Sequence, residues 1–320
     1  MKAIALLSGG LDSILAAKTI QQQGIEVIGV HFKTSFGHDN KKNSLPCVPA
    51  EKSGIPFKET DISADFLTML RHPRHGYGSH LNPCIDCKIL MLKKSKEMMQ
   101  GLGARFVLTG EVLGQRPMSQ HRRALAMIEK ESGLEGILLR PLSAKLLPPT
   151  LPEQEGWVDR ERLFGLSGRT RRPQMNLAKM LDITDYSNPA GGCLLTDPEF
   201  TKRLKDLMTH GTLDMNNIGL LKIGRHFRFS PGAKLVVGRN EKENMRLLEF
   251  AQKGDYLFMP KDIAGPTALG RGSFDEGLIK ISCSIVCSYS DLESSASADI
   301  IYRIFPSQEE KLLTSVPKRF

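Results

Sequence analysis

The stretch that decides the fold is MKAIALLSGGLDSILAAKTI, residues 1–20. Lys2 to Leu7 is a short apolar run with the length of one buried parallel strand. Ile14, Leu15, Ala16, Ala17 and Ile20 then recur at helical spacing. Between the two, Gly9 and Gly10 permit backbone angles that other residues resist and let a ligand approach closely. Ser8, Asp12 and Ser13 surround the helix start, where free N–H groups and the positive dipole end attract anions. No Gly-Lys-Ser/Thr follows and no Gly-x-Gly-x-x-Gly is present, so the turn is neither of the two commonest phosphate loops. Taken alone, a Gly-Gly turn is equally a capped strand-to-helix connection.

Working outward, Ile25 to Phe32 reads as a second buried strand and Pro56 to Glu59 as a third. Residues 45–54, 62–70 and 85–101 carry helical patterns, and Arg105 to Thr109 and Ile137 to Leu139 are further strands. Such alternation predicts an α/β fold, a Rossmann-like parallel sheet with helices on both faces. Residues 71–88, RHPRHGYGSHLNPCIDCK, are rich in Gly, Pro and His and read as a long functional loop. The Pro-rich run 140–157 cannot be regular throughout, residues 159–182 look mainly helical, 187–200 read as a turn-rich loop, and 199–209 return to helix. A composition shift at His210-Gly211 marks a boundary between residues 1–209 and 210–320. Beyond it, strand-like runs at 220–223, 235–237, 256–259 and 278–285, with one helix at 242–252, predict a small C-terminal α+β domain.

The 320 residues exceed one typical domain, and 40% hydrophobic content supports ordinary cores. No apolar run approaches the roughly 20 residues that span a bilayer. Residues 1–20 do not have the pattern of a signal peptide, so a cytoplasmic protein with no membrane partner is expected. Six cysteines then point to metal or redox chemistry rather than a disulfide framework. The net charge of +9 suggests a polyanionic partner. Residues 1–210 hold 29 Lys and Arg against 22 Asp and Glu, so most of the excess lies there. Basic clusters at residues 71–75, 121–123 and 169–172 are candidates for RNA phosphate contacts, or are simply solvated.

Cys84 and Cys87 form a CxxC pair, and Cys193 is a third candidate far along the chain. Zinc completed by His72, His75 or His80, a redox pair, and a three-thiolate iron–sulfur cluster with one open iron are all consistent with the residues. A helix start at Cys84–Cys87 is expected to favour thiolate over thiol. Cys47 reads as structural, and Cys283 and Cys287 read as small residues on a strand.

Ser8-Gly9-Gly10-Leu11-Asp12-Ser13 resembles the pyrophosphate-binding loop of the PP-loop (N-type) ATP pyrophosphatases, whose fold is adenine nucleotide alpha hydrolase-like. Asn82-Pro83-Cys84-Ile85-Asp86-Cys87-Lys88, followed by Cys193 in a Gly-rich stretch, narrows the likeness to the tRNA thiouridine synthases of the 2-thiouridylase and ThiI-like types. In many 2-thiouridylases the position of Cys84 is Asp; a Cys there resembles the cluster-dependent thiolases, although the zinc-ribbon cysteines those enzymes often add are missing. The resemblance covers roughly residues 1–205. It implies an ATP-dependent tRNA sulfurtransferase that adenylates a uridine carbonyl and replaces the oxygen with sulfur. The implied catalytic residues are Asp12, Cys87 and Cys193. ATP would lie on residues Ser8 to Ser13, on His31 and Phe32, and on Thr109 and Gly110, with Lys88, Arg116 and Arg140 as further candidates to neutralise phosphate charge. Cys84, Cys87 and Cys193 would ligate a [4Fe-4S] cluster, or zinc as the alternative, and Mg²⁺ would accompany ATP.

The implied partners are tRNA and a sulfur donor, either sulfide or a persulfide carrier protein, with a homodimer left open. No RNA-binding module precedes the first strand and no rhodanese-like extension is evident, so RNA recognition is expected from elsewhere. Gly238, Arg239, Asn240 and Asn244 resemble the VGRN…EN string of the NFACT-R (DUF814) domain, which implies RNA binding by the C-terminal part. The strongly basic stretch that usually follows that string is only weakly basic here. Other AMP-forming PP-loop enzymes acting on small molecules, and an RNA-binding module with a non-thiolating ATPase, are the competing readings.

Overall fold

The computed structural model describes residues 1–37, 54–184, 186, 193–292 and 297–317. The chain divides into two compact units, Met1–Asp197 and Pro198–Phe320. Cys47 and most of the helix expected at 45–54 lie outside the described residues.

In the first unit, β1 (Lys2–Leu6), β2 (Glu26–Lys33), β3 (Phe57–Asp61), β4 (Phe106–Thr109) and β5 (Leu138–Leu139) form one sheet in the order β3-β2-β1-β4-β5. Every pairing is parallel. Alternation along the strands assigns each side chain to a face. Ala3, Ala5, Phe106 and Leu108 bury against α1 (Leu11–Gln21), while Ile4, Leu6 and Val107 bury on the opposite face against α3 (Cys84–Leu102) and α4 (Arg122–Ser132). The first face is also covered by α6 (Arg172–Met180). The described residues of the unit also include two short helices, α2 (Ser63–Arg71) and α5 (Leu151–Gln154). Pairing proceeds outward from β1 to β2 and β3, then returns to β4 on its other side. The carboxyl ends of β1 and β4 therefore flank the topological switch point, where ligands bind in open α/β sheets.

The helix expected over 159–182 is confined to Arg172–Met180. Gly168, at φ 85°, lies four residues before it and accommodates a left-handed turn. Among the described residues no helix is long and apolar enough to cross a membrane.

The second unit starts with α7 (Pro198–His210), so its boundary lies at the start of this helix, not at its end where composition shifts. Six antiparallel strands follow in the order β11-β10-β8-β9-β7-β6: β6 (Arg225–Ser230), β7 (Ala233–Val237), β8 (Tyr256–Pro260), β9 (Ala268–Gly272), β10 (Ala298–Ile304) and β11 (Lys311–Ser315). Residues 220–223 and 278–285 are not strands. They belong largely to α8 (Met215–Leu221) and α10 (Glu276–Ser288), started by Asp214 and Asp275, whose carboxylates accept from the N–H groups of Asn217 and Leu278. Cys283 and Cys287 thus sit one turn apart on a helix, buried against Leu235, Val237 and Phe258. Val236, Leu257 and Leu269, on the other face, meet Leu247 of α9 (Glu241–Phe250).

Candidate nucleotide and thiol site

The turn after β1 is held by its own side chains. Ser13 Oγ donates to the Gly10 carbonyl at 2.7 Å and accepts from the Ser8 N–H at 3.3 Å. The Gly10 N–H donates to Ser8 Oγ at 3.4 Å. Gly9 has φ 73°, which a side chain would resist. Leu11 is fully buried and anchors the first turn of α1, leaving Asp12 partly exposed. Gly110, at the end of β4, presses onto this turn: a Cβ there would stand 2.4 Å from the Asp12 carbonyl and 2.5 Å from the Ser13 nitrogen. The glycine is needed because two backbones meet.

Asp12 is oriented by a residue that sequence reading missed. Gln115 Nε2 donates to Asp12 Oδ2 at 2.9 Å, across 103 positions. Asp12 Oδ1 and Gln115 Oε1 are both buried without a hydrogen-bond partner. Two orphaned oxygens on one bonded pair fit a hard divalent cation such as Mg²⁺.

The other residues expected at the nucleotide divide by burial. Phe32 and Thr109 have side chains in the interior, so only their backbones are available at the strand ends. Thr109 Oγ1 donates to Glu111. His31 Nδ1 donates to the Leu7 carbonyl at 2.9 Å, which leaves Nε2 as the ring's acceptor. Arg140 is not a phosphate ligand. It is 4% exposed and its guanidinium is taken by Glu111, Glu129 and the Leu125 carbonyl. Burial pushes the Glu111 carboxyl up, but Lys88 and Arg140 outweigh it and hold the group below its usual value. Breaking such a buried pair from one side costs about 3–5 kcal/mol.

Lys88 Nζ lies 3.9 Å from Glu111, so the first turn of α3 adjoins the carboxyl end of β4. That turn carries Cys84 and Cys87. Asn82 Nδ2 donates to Cys84 Sγ at 3.3 Å, and Asp86 accepts the N–H groups of Arg74 and His75. Cys193 joins from 106 positions beyond Cys87: it bridges to Gly37, just past β2, and Leu194 N–H donates to the Phe36 carbonyl at 2.9 Å. The three thiols act on one another electrostatically. Burial first, then Cys193, pushes the Cys87 thiol up to about 12. Burial, then Cys84, pushes Cys193 up to about 11, against the lowering contributions of a backbone hydrogen bond from Leu195 and then of Arg116. The expectation that the helix start makes Cys87 a thiolate is therefore corrected: desolvation outweighs the dipole.

A measurable consequence follows from this burial. Alkylation of Cys87, followed by mass spectrometry, should keep rising to about pH 12, whereas a thiol with the ordinary value of about 8.5 levels off sooner. A plateau near the ordinary value would contradict this. The same shift makes stability fall as pH rises from about 8.5 toward the folded value, because the unfolded chain releases its proton first.

Among the described residues, no three His, Cys, Asp or Glu side chains are gathered to hold a single metal ion. Of the histidines considered for zinc, His75 is engaged by Glu131 at 3.2 Å. By donor chemistry, soft thiolates suit an iron–sulfur group or zinc alike. The basic clusters are also partly committed. Arg74 pairs with Glu131, His121 caps α4, and Arg122 donates to the Leu146 carbonyl.

Residues 1–145 match the thiamine biosynthesis protein (ThiI) family, and residues 224–318 match the NFACT protein RNA binding domain. A tRNA-specific 2-thiouridylase MnmA of Flavobacterium johnsoniae is 33% identical over 126 residues, 34% of this chain and 31% of that one. A probable tRNA sulfurtransferase of Methanosarcina mazei is 31% identical over 124 residues, 36% of this chain and 29% of that one. A solved 4-thiouridine synthetase, in complex with RNA and with bound ATP, is 18% identical with a TM-score of 0.35, covering 57% of this chain and 51% of that one. The matched segments span about a third of the length of these curated relatives. The ThiI match and the NFACT RNA binding match thus fall on separate segments, each less than half of the chain.

In the second unit the two asparagines of the GRN…EN string are structural. Asn240 caps α9 by accepting from the Glu243 N–H, and Asn244 Oδ1 accepts from the Thr267 N–H.

Proposed function

We propose that the chain is an ATP-dependent tRNA sulfurtransferase. The observation that carries the reading is that the phosphate-type turn after β1, the Gly110–Glu111 end of β4 and the three thiols all lie beyond the carboxyl ends of one parallel sheet. The 2-thiouridylase and sulfurtransferase relatives support the same reading.

The chemistry needs such an arrangement. Oxide is a very poor leaving group, so a uridine carbonyl resists direct exchange with sulfur. In the first step the uridine oxygen attacks the α-phosphorus of ATP, and pyrophosphate leaves. Sulfur then bonds to the ring carbon, and AMP departs with the original oxygen. The Gly9–Ser13 backbone and the start of α1 would cradle pyrophosphate. Asp12, fixed by Gln115, would hold Mg²⁺, which draws charge from the phosphates. An iron–sulfur group bound by Cys84, Cys87 and Cys193 would supply an open iron for sulfide. Cys87 and Cys193 must each lose a proton to serve as ligand or sulfur carrier, so this half of the reaction is favoured by rising pH.

Deleting the gene in its host should remove one thionucleoside from bulk tRNA, read by mass spectrometry of digested nucleosides. An unchanged thionucleoside profile would overturn the proposal.

A further inference from the structure

The second unit contains an open cavity of about 360 Å³ between α7, β6, β7 and the turn after β7. Its lining carries six cations against two carboxylates. One carboxylate, Asp206, is fully engaged: it takes the fork of Arg228 at 2.9 and 2.7 Å and the ammonium of Lys234 at 2.8 Å. Two positive charges therefore share one negative charge. Arg225 and Arg239 are each oriented by a backbone carbonyl. Arg225 donates to the Gly238 carbonyl and lies 4.5 Å from the Tyr289 ring centroid. Arg239 donates to the Gly224 carbonyl at 2.7 Å, with Glu243 at 3.7 Å. Lys202 is exposed on α7. The cavity is thus positive and shaped by carbonyls that orient guanidinium groups, a setting for an anionic oxygen.

His226 lines the same cavity and adds an acceptor. Its Nε2 donates to the Ile223 carbonyl at 2.8 Å, which fixes the tautomer. Its Nδ1 is buried and has no hydrogen-bond partner. Burial, then the charges of Lys234 and Arg203, hold the ring neutral down to about pH 3. An orphaned neutral acceptor among cations is complementary to a ligand that presents anionic oxygens and a hydroxyl together. A phosphate followed along a chain by a ribose 2′-hydroxyl has this pair, and the DNA equivalent lacks the hydroxyl.

We infer that this cavity takes a ribose phosphate of RNA, the phosphate on Arg225, Arg239 and Lys202 and the 2′-hydroxyl donating to His226 Nδ1. The inference rests on reading the second unit as RNA-binding and deepens it. Lys202, Arg203 and Asp206 lie before the matched residues 224–318, so α7 supplies part of a site that the domain match does not contain.

The test is fluorescence anisotropy of the full chain with one labelled single-stranded RNA and the DNA of the same sequence, across a salt series. The wild-type chain should favour RNA by about fivefold, the worth of one hydrogen bond. His226→Phe should bring RNA affinity down to that for DNA. Arg225→Gln should weaken both and lower the salt slope by about one phosphate contact. Lys202→Gln, at an exposed helix position that cannot compromise folding, should lower the slope likewise, and melting curves establish that the other two variants fold. If all three variants bind RNA as the wild type does, the pocket assignment falls and RNA binding by the unit stands. If the wild-type chain binds no RNA, both fall. If free adenosine monophosphate competes as well, mole for mole, as unlabelled RNA, the site is a mononucleotide site and the polymer assignment falls. Thiolation of tRNA is measured separately and reports on the first unit.

Discussion

Gly110→Ala should remove nucleotide binding from a chain that still folds. The added Cβ would stand 2.4 Å from both the carbonyl carbon and the oxygen of Asp12, and 2.5 Å from the nitrogen of Ser13. None of these atoms can rotate away, because all three belong to the first turn of α1. The strand end and the helix start must separate, and overpacking of this kind costs about 1–3 kcal/mol. The cores on the two faces of the sheet are untouched, so the first unit should melt only a few degrees lower. The site is far less tolerant. A displacement of about 1 Å at a catalytic loop can cost about 10²-fold. Here it would move the turn that carries Ser8–Ser13 away from the β4 end. ATP affinity by calorimetry and ATP-to-AMP turnover should both fall by about that factor or more. Wild-type ATP affinity in a folded Gly110→Ala chain would show that the nucleotide does not lie at this junction.

The region of that junction was the most legible part of the sequence, and for a physical reason. A buried parallel strand is continuously apolar, a helix repeats near every fourth residue, and the glycines between them mark where backbone must be free. Lys2–Leu6 and Leu11–Gln21 stand where those patterns place them. Contacts between distant polar residues leave no such trace. Nothing in local composition connects Gln115 to Asp12, or Arg140 to Glu111, and both pairs depend on which strand ends the topology makes neighbours.

In the second unit the same patterns misled. LIKISCSI (278–285), with three isoleucines among small residues, reads as a strand, yet Asp275 caps Glu276–Ser288 into a helix that covers one face of the antiparallel sheet. The demand of that sheet for a cover outweighed the residues' weak β preference. Arg225–Ser230 went unread in the opposite way. Its basic and aromatic residues, Arg225 to Phe229, are all half-buried, so no apolar run announces β6.

Cys193→Ser should abolish thiolation, by at least about 10³-fold, while leaving ATP affinity within about twofold of wild type. The two expectations separate because the residue lies at the thiol end of the proposed site and not at the phosphate turn. Its backbone bridges to Gly37 and its neighbour Leu194 bonds Phe36, so it is fixed by the segment after β2. Serine keeps the size of the side chain and those backbone bonds, so the local fold should persist. What serine cannot supply is a soft donor: an alcohol neither carries sulfur as a persulfide nor ligates iron as a thiolate does. The substitution also removes one of the groups that raises Cys87, so Cys87 should alkylate at lower pH in the variant than in the wild type. That second readout needs neither tRNA nor a loaded metal group. A Cys193→Ser chain that thiolates normally would take Cys193 out of the reaction. One that loses thiolation without shifting the Cys87 titration would show that the two thiols do not converge as the structure has them.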